Sequence, residues 1–321
     1  MRRHVKWLAV LLAFALLGAA CGDDDDSSTD TGDAGGDSGA AAEPIEGPAI
    51  SIGAQDFGES AILAEITSQA LSNAGYDASV QEVGGFRDLL FGAFESGDVN
   101  LAPDYVASQL EFLNDAAGQA TSDVNQTFGL LTPLLAEKSL TGVTPSNAVD
   151  TNAFVVTEET SDELGITTLS DLAAKGADLT LGAPPDCETN GFCIPGLQRV
   201  YGVDLSANFE PLEFGVIPTS LDEGAIDVGV VSSTDGRLAD PETGWVLLED
   251  DKGMLAADNV FYVEANDLVE AYGDDLTALL EEISSELTTE ELVEMNKRYD
   301  VDKDDAEDIA ADWVDEYGFG G

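Results

Sequence analysis

Residues 49–71 read AISIGAQDFGESAILAEITSQAL, and the two halves of this stretch carry two different periods. The first half, 49–54, is a short apolar run suited to a buried strand. The second places Ile62, Leu63, Ile66, Ala70 and Leu71 at helical spacing, and Gly75 stands where a left-handed residue ends a helix. The alternation then repeats. Residues 77–83 predict a strand, 86–96 a second amphipathic helix and 99–102 a third extended stretch. The order β-α-β-α-β predicts a mostly parallel sheet with helices on both faces, and ligands bind such sheets beyond the carboxyl ends of the strands.

A second set of elements opens after Asp150. Strands are predicted at 153–156, 179–182, 209–212, 228–231 and 245–248, with helices near 169–174, 196–200 and 219–224. A strand at 259–264 is followed by helices alone, at 267–272, 276–287, 289–299 and 306–317. A tail of that kind, arriving after a complete α/β unit, predicts that the chain crosses back to buttress its first lobe. Residues 46–150 with 263–321 then make lobe I and 151–262 lobe II, with two crossings as a hinge and a cleft between the lobes.

Upstream of this unit, residues 1–20 run basic, apolar, small: Arg2, Arg3 and Lys6, an uncharged run over 7–17, then Gly18-Ala19-Ala20 before Cys21. This predicts a secretory signal, too short to span hydrocarbon, with Cys21 as the lipidated first residue; plain cleavage at an Ala-x-Ala-type site is the alternative. Residues 21–45 predict a solvated acidic tether, rich in Asp, Ser, Gly and Ala. An anchored receptor needs such a spacer to turn toward a membrane partner.

Composition excludes several classes of function. The formal charge is −52, from 64 acidic and 12 basic residues, and such a surface repels nucleic acid and anionic headgroups. It suits a charge-solvated exterior, a salty medium or a cationic ligand. The one histidine is His4, inside the signal, so histidine triads and histidine metal sites are excluded from the mature chain, and neither a metal nor another cofactor is expected. Cys187 and Cys193, six apart in a turn-like segment of an exported chain, predict a local disulfide rather than a metal pair or free thiols.

Seven landmarks then follow in order. They are Asp56-Phe57 with 62–66, Gly97-Asp98 with Pro103-Asp104-Tyr105, 181–185, Pro195-Gly196-Leu197 with Val200-Tyr201-Gly202, 224–228, 234–238 and 248–252. On these residues the chain resembles, from about Ile50 to Gly318, the OpuAC/ProX-like glycine betaine, choline and carnitine binding proteins of osmoprotectant ABC importers. The resemblance implies a two-lobed, periplasmic-binding-protein-like (type II) α/β fold with a hinge of two crossing strands and a C-terminal helical tail. It also implies a small-molecule solute in the cleft and permease and ATPase subunits as partners; a receptor that must approach a permease is expected to be a monomer, and the lipid on Cys21 is expected to hold it at the outer face of the cytoplasmic membrane.

In members that take glycine betaine, several tyrosine rings enclose the trimethylammonium and Lys and Arg meet the carboxylate. A desolvated cation over an aromatic face gains roughly 1–2 kcal/mol, and a buried carboxylate needs a cationic partner. Here Gln55 stands for the Lys, Ala102 and Ser232 for two Tyr, and Asn190 for the Arg; Tyr105 keeps its place. Two readings stay open. In one, Phe57, Phe86, Phe154 and Phe192 rebuild the cage, and Asp56, Asp104, Asp186 and Asp235 favour a cation lacking a carboxylate, as choline does. In the other, the cage is lost and the pocket takes a different polar solute.

The resemblance brings Ser232, Thr234 and Asp235 to the pocket, although Asp235-Gly236 is by chemistry a turn. Asp56 and Glu59 read equally as caps and dipole partners at a helix start. Asn152 and Asn259, on the crossings, suit either hinge backbone or a ligand hydroxyl. The chain has no phosphate-binding Gly-x-x-x-x-Gly-Lys-Ser/Thr loop, so any ATPase is a separate subunit. An enzyme using Asp186 and Asp235 as paired carboxylates, and a lipoprotein that senses a solute without transporting it, are the rival readings.

Overall fold

The structure is a computed structural model and describes residues 42–321. The signal segment 1–20, the lipidation site Cys21 and the tether up to residue 41 lie outside the described residues.

The chain begins β1 (Ile50–Ala54), α1 (Gly58–Asn73), β2 (Ala78–Glu82), α2 (Arg87–Ser96), β3 (Leu101–Tyr105). Strand β1 lies between β2 and β3 and is parallel to both, as the alternation predicts. Gly75 takes φ +98° just past α1, a conformation that costs a residue without Cβ nothing. Next come α3 (Val106–Leu113), α4 (Val124–Glu137) and β4 (Leu140–Gly142), which the sequence reading left unassigned. The reasons are local. Helix α3 starts directly on the last residue of β3, where the Tyr105 side chain makes no cap to announce it, and α4 carries Pro133, a helix breaker, in its interior.

The second lobe holds β5 (Asn152–Thr157), α5 (Glu158–Leu164), α6 (Leu169–Lys175), β6 (Leu181–Ala183), the single turn α7 (Ile194–Gly196), β7 (Phe209–Pro211), α8 (Ile217–Asp222), β8 (Val228–Ser232) and β9 (Trp245–Leu247). The chain then forms β10 (Val260–Ala265), α9 (Asn266–Tyr272), α10 (Asp274–Glu286), α11 (Thr289–Lys297) and α12 (Ala306–Glu316). The two sheets have the orders β2-β1-β3-β10-β4 and β7-β6-β8-β5-β9. Both are mixed, because the strand that enters each sheet from a crossing runs antiparallel to its neighbours: β10 against β3 and β4, β5 against β8 and β9.

Period-two alternation sets the cores. In β10, Val260 and Tyr262 face the cluster under α1 and α12, while Phe261 and Val263 face α3 and α4. In β5, Phe154 and Val156 turn to one face of the second sheet, Ala153 and Val155 to the other. Among the described residues no helix is long and apolar enough to cross a membrane.

The crossings touch each other. Val149 and Asn259 form an antiparallel bridge, and the Asp150 N–H donates to the Asp258 carbonyl at 3.1 Å. Asn259 Nδ2 donates to the Ser146 carbonyl at 2.9 Å, so of its two open roles Asn259 takes the hinge backbone. The tail packs α12 along α1 and adds a contact that the sequence did not indicate. Helix α11 also lies on the Gly236–Ala239 turn of the second lobe, so closely that a Cβ on Gly236 would overlap the Lys297 backbone.

Candidate functional site

A cleft of about 1010 Å³ opens between the two sheets. Lobe I supplies Arg87 from the start of α2 and Ser108 and Glu111 from α3; the crossings supply Asp150 and Asp258; lobe II supplies Asn152, Asp186, Asn190, Phe192, Phe214 and Ser232. The second lobe's contribution depends on the disulfide. Cys187 and Cys193 are bonded, with Cα atoms 5.1 Å apart, and this closes the loop between β6 and α7. Inside the loop Asn190 Oδ1 accepts from the Phe192 N–H at 2.9 Å, and Asn190 Nδ2 donates to Asp186 at 3.3 Å. The sequence-predicted Asp186, Asn190 and Phe192 therefore reach the cleft as one stiffened unit, together with Asn152 and Ser232.

Other predicted residues lie elsewhere. Phe154 has no exposed surface and sits in the second lobe's core, which corrects its reading as a cage ring: on a central strand the inward half of the alternation is consumed by packing. Tyr105 is 6% exposed and packs in the first lobe's core; its hydroxyl donates to Glu59 at 2.6 Å instead of reaching the cleft wall. Phe57 is half-buried beside Tyr105, ring centroids 6.3 Å apart. Phe86 is 62% exposed at the N-terminus of α2 and does not line the cleft. Gln55 is buried, with its Nε2 unpaired among the described residues. Asp56 is exposed and its N–H donates to Gly85. Asp235 caps the 236–239 turn and pairs with Arg237.

Two cations line the cleft at positions other than those of the family's Lys and Arg: Arg87 and the exposed Arg199. Arg87 lines the cleft, and Asp104, fully buried, holds its guanidinium through Nε at 3.0 Å and Nη2 at 2.6 Å. Asp104 accepts in addition from Gln109 Nε2 and the Tyr105 N–H. Burial works to lower the Arg87 pKa, but the Asp104 charge and hydrogen bonds outweigh it and the net shift is upward. Arg87 is thus a cation neutralised within the wall.

Three further acids meet at the hinge. Asp258 accepts from the N–H groups of Ala107 and Ser108 at 2.8 and 2.9 Å and so caps α3. Burial pushes its carboxyl up to about 6, against the Ser108 hydrogen bonds and the Arg87 charge. Glu59, which sequence left open as a helix cap, is buried and accepts from Tyr105 and from Asn296 Nδ2 at 2.6 Å. Burial raises it above the ordinary carboxylate range. Asp150 accepts from the Ser232 hydroxyl, which lies 2.8 Å from that of the buried Thr234. Burial first, then the Glu59 charge, raise Asp150 well above its usual value.

Residues 48–316 match the family described as the substrate binding domain of the ABC-type glycine betaine transport system, OpuAC. The chain belongs to this family. A glycine-betaine-binding protein of Pseudomonas aeruginosa is 26% identical over 278 residues, which cover 84% of this chain and 88% of that one. A solved structure described as a glycine betaine/carnitine/choline ABC transporter superposes with a TM-score of 0.73 at 22% identity, over 85% of this chain and 100% of its own. Apo YehZ of Escherichia coli superposes with a TM-score of 0.70 at 21% identity, over 84% and 99%. These superpositions show the two-lobed fold. As an OpuAC-family member the chain is a solute-binding protein.

Several family landmarks serve that fold away from the cleft. Tyr201 of 200–202 donates to Asp250 of 248–252 and accepts from the Lys252 N–H at 2.9 Å. Asp227 accepts from the Thr180 N–H at 2.8 Å and ties two strands of the second sheet. Sequence reasoning missed Arg87, Asp150, Asp258 and Phe214. Arg87 carried a signal, being one of nine basic residues left once Arg2, Arg3 and Lys6 are taken from 12.

Proposed function

We propose that the protein is the solute receptor of an ABC importer, held by a lipid on Cys21 at the outer face of the cytoplasmic membrane, and that it takes a small quaternary-ammonium solute of the choline type. The observation that carries this reading is the charge balance of a cleft walled by both sheets and both crossings. Arg87 is spent on Asp104 and Arg199 donates to the Gly191 carbonyl, while four acids, Glu111, Asp150, Asp186 and Asp258, line the same space. A ligand with a cationic head and no carboxylate fits that balance, and Phe192 and Phe214 offer it aromatic faces.

A solute in this cleft touches both lobes, so it favours the closed form by as much as its affinity for the two forms differs. The closed receptor, a monomer, then docks on a permease driven by a separate ATPase. Calorimetric titration of the purified protein with choline, glycine betaine, carnitine and an uncharged polyol tests the reading. Choline is expected to bind at least tenfold more tightly than glycine betaine. Binding of the polyol alone would remove the quaternary-ammonium assignment and leave a receptor for an uncharged solute.

A further inference from the structure

The four buried or half-buried acids around the hinge differ in what they receive. Asp104 holds Arg87 and two further donors. Asp258 is occupied by two backbone N–H groups and the Ser108 hydroxyl. Glu59 is met by the Tyr105 hydroxyl and the Asn296 amide. Among the described residues the Asp150 carboxylate accepts only from the Ser232 hydroxyl, with the Thr234 hydroxyl 2.8 Å behind it. It also stands one residue past the Val149–Asn259 bridge, half-buried and lining the cleft beside Asn152.

Among the described residues the charged groups that act most strongly on Asp150 are acidic, although Arg87 and Arg199 line the same cleft. Glu59 approaches from α1, Asp258 from the returning crossing and the Tyr105 hydroxyl from β3; the second lobe contributes only the hydroxyls of Ser232 and Thr234. A carboxylate has about four lone-pair sites, and among the described residues no cationic donor meets those of Asp150, which lines the cleft. Removing such a group from water without a counter-charge is costly, so the wall is complementary to a cation that arrives from outside.

We propose that Asp150 is the specificity-determining contact for the ligand's cationic head, and that it makes the cleft select an organic cation over an uncharged solute of the same shape. The inference rests on reading the cleft as the solute site, and it adds the residue that reads charge. Its place on the crossing gives it a second effect. An ion pair formed there joins the ligand to the segment about which the lobes turn, and therefore to closure. It also couples binding to protons. A cation favours the ionised form of Asp150, which burial raises, and, beside it, of Asp258, which burial pushes up to about 6. Affinity for the cation should then weaken as the pH falls through that value, with protons expelled on binding.

The test pairs choline with 3,3-dimethylbutan-1-ol, its uncharged carbon isostere, in calorimetric titrations of the full-length protein and of Asp150→Asn. The wild type is expected to prefer choline to the isostere at least tenfold, and Asp150→Asn to lose at least tenfold for choline while the isostere is unaffected. The proton count, read from buffers of different ionisation enthalpy, should fall in the variant. Asp150→Ser serves if the Asn variant does not fold. Choline binding that survives both substitutions overturns the role of Asp150 and leaves the receptor reading standing. Equal binding of choline and isostere by the wild type overturns charge selection, and no choline binding by the wild type overturns both.

Discussion

At the scale of single residues, Arg87 and Asp104 show how a site is tuned by what is withheld from the ligand. Asp104 belongs to the recognisable Pro103-Asp104-Tyr105 landmark, yet its carboxylate is buried behind the cleft wall, where it neutralises Arg87. Removing one partner strands the other. Arg87→Ala should lower the unfolding free energy by about 3–5 kcal/mol, the scale for breaking a buried pair, and Arg87→Ala with Asp104→Ala should recover part of it. Urea denaturation of the wild type, the two single variants and the double variant checks this; a loss in the double variant equal to the sum of the single losses would show the pair to be uncoupled. The pairing was not legible beforehand because the two residues, 17 apart, sit on different elements and meet only through the sheet. Tyr105 is the converse case. Its position in the family pattern was plain, but the direction of its ring depends on Glu59 across β3 and α1.

At the scale of elements, two pieces of the chain hold the lobes to the site. The disulfide loop presents Asp186, Asn190 and Phe192, and this much followed from cysteine spacing and its neighbours. The role of α11 did not. Its start is written in a capping box, Thr288 with Glu291, but a cap says nothing about which surface the helix will meet. Tertiary packing sets it on both α1 and the 236–239 turn, where Asn296 Nδ2 donates to Glu59 of the first lobe and to the Thr234 carbonyl of the second at 2.8 Å. Gly236 permits that approach. Gly236→Ala should cost about 1–3 kcal/mol, the usual range for forcing extra carbon into packed space, because the obstacle is the Lys297 backbone and not a flexible side chain. A thermal or urea midpoint matching the wild type would mean that α11 can withdraw from the turn without loss.

At the scale of the whole molecule, the charge is lopsided: 64 acidic residues against nine basic ones outside 1–20, once Arg2, Arg3 and Lys6 are subtracted from 12. Most acids are spread over exposed positions, so their repulsion opposes the compact state and salt screens it. The melting temperature at pH 7 should therefore rise by several degrees between low salt and about 1 M NaCl, where the screening length falls to roughly 3 Å. A melting temperature independent of salt would show that the surface acids are too far apart to matter. Sequence alone determined the layered α/β organisation, the two crossings, the helical tail and the family, because hydrophobic period and element order act locally along the chain and survive in any one segment. Only the tertiary structure decided the site. Whether Phe154 meets ligand or core, whether Arg87 is free or bound, and whether Asp150 has a counter-charge all depend on partners brought from distant segments, and burial, which sets the strength of each charge, exists only once those segments pack.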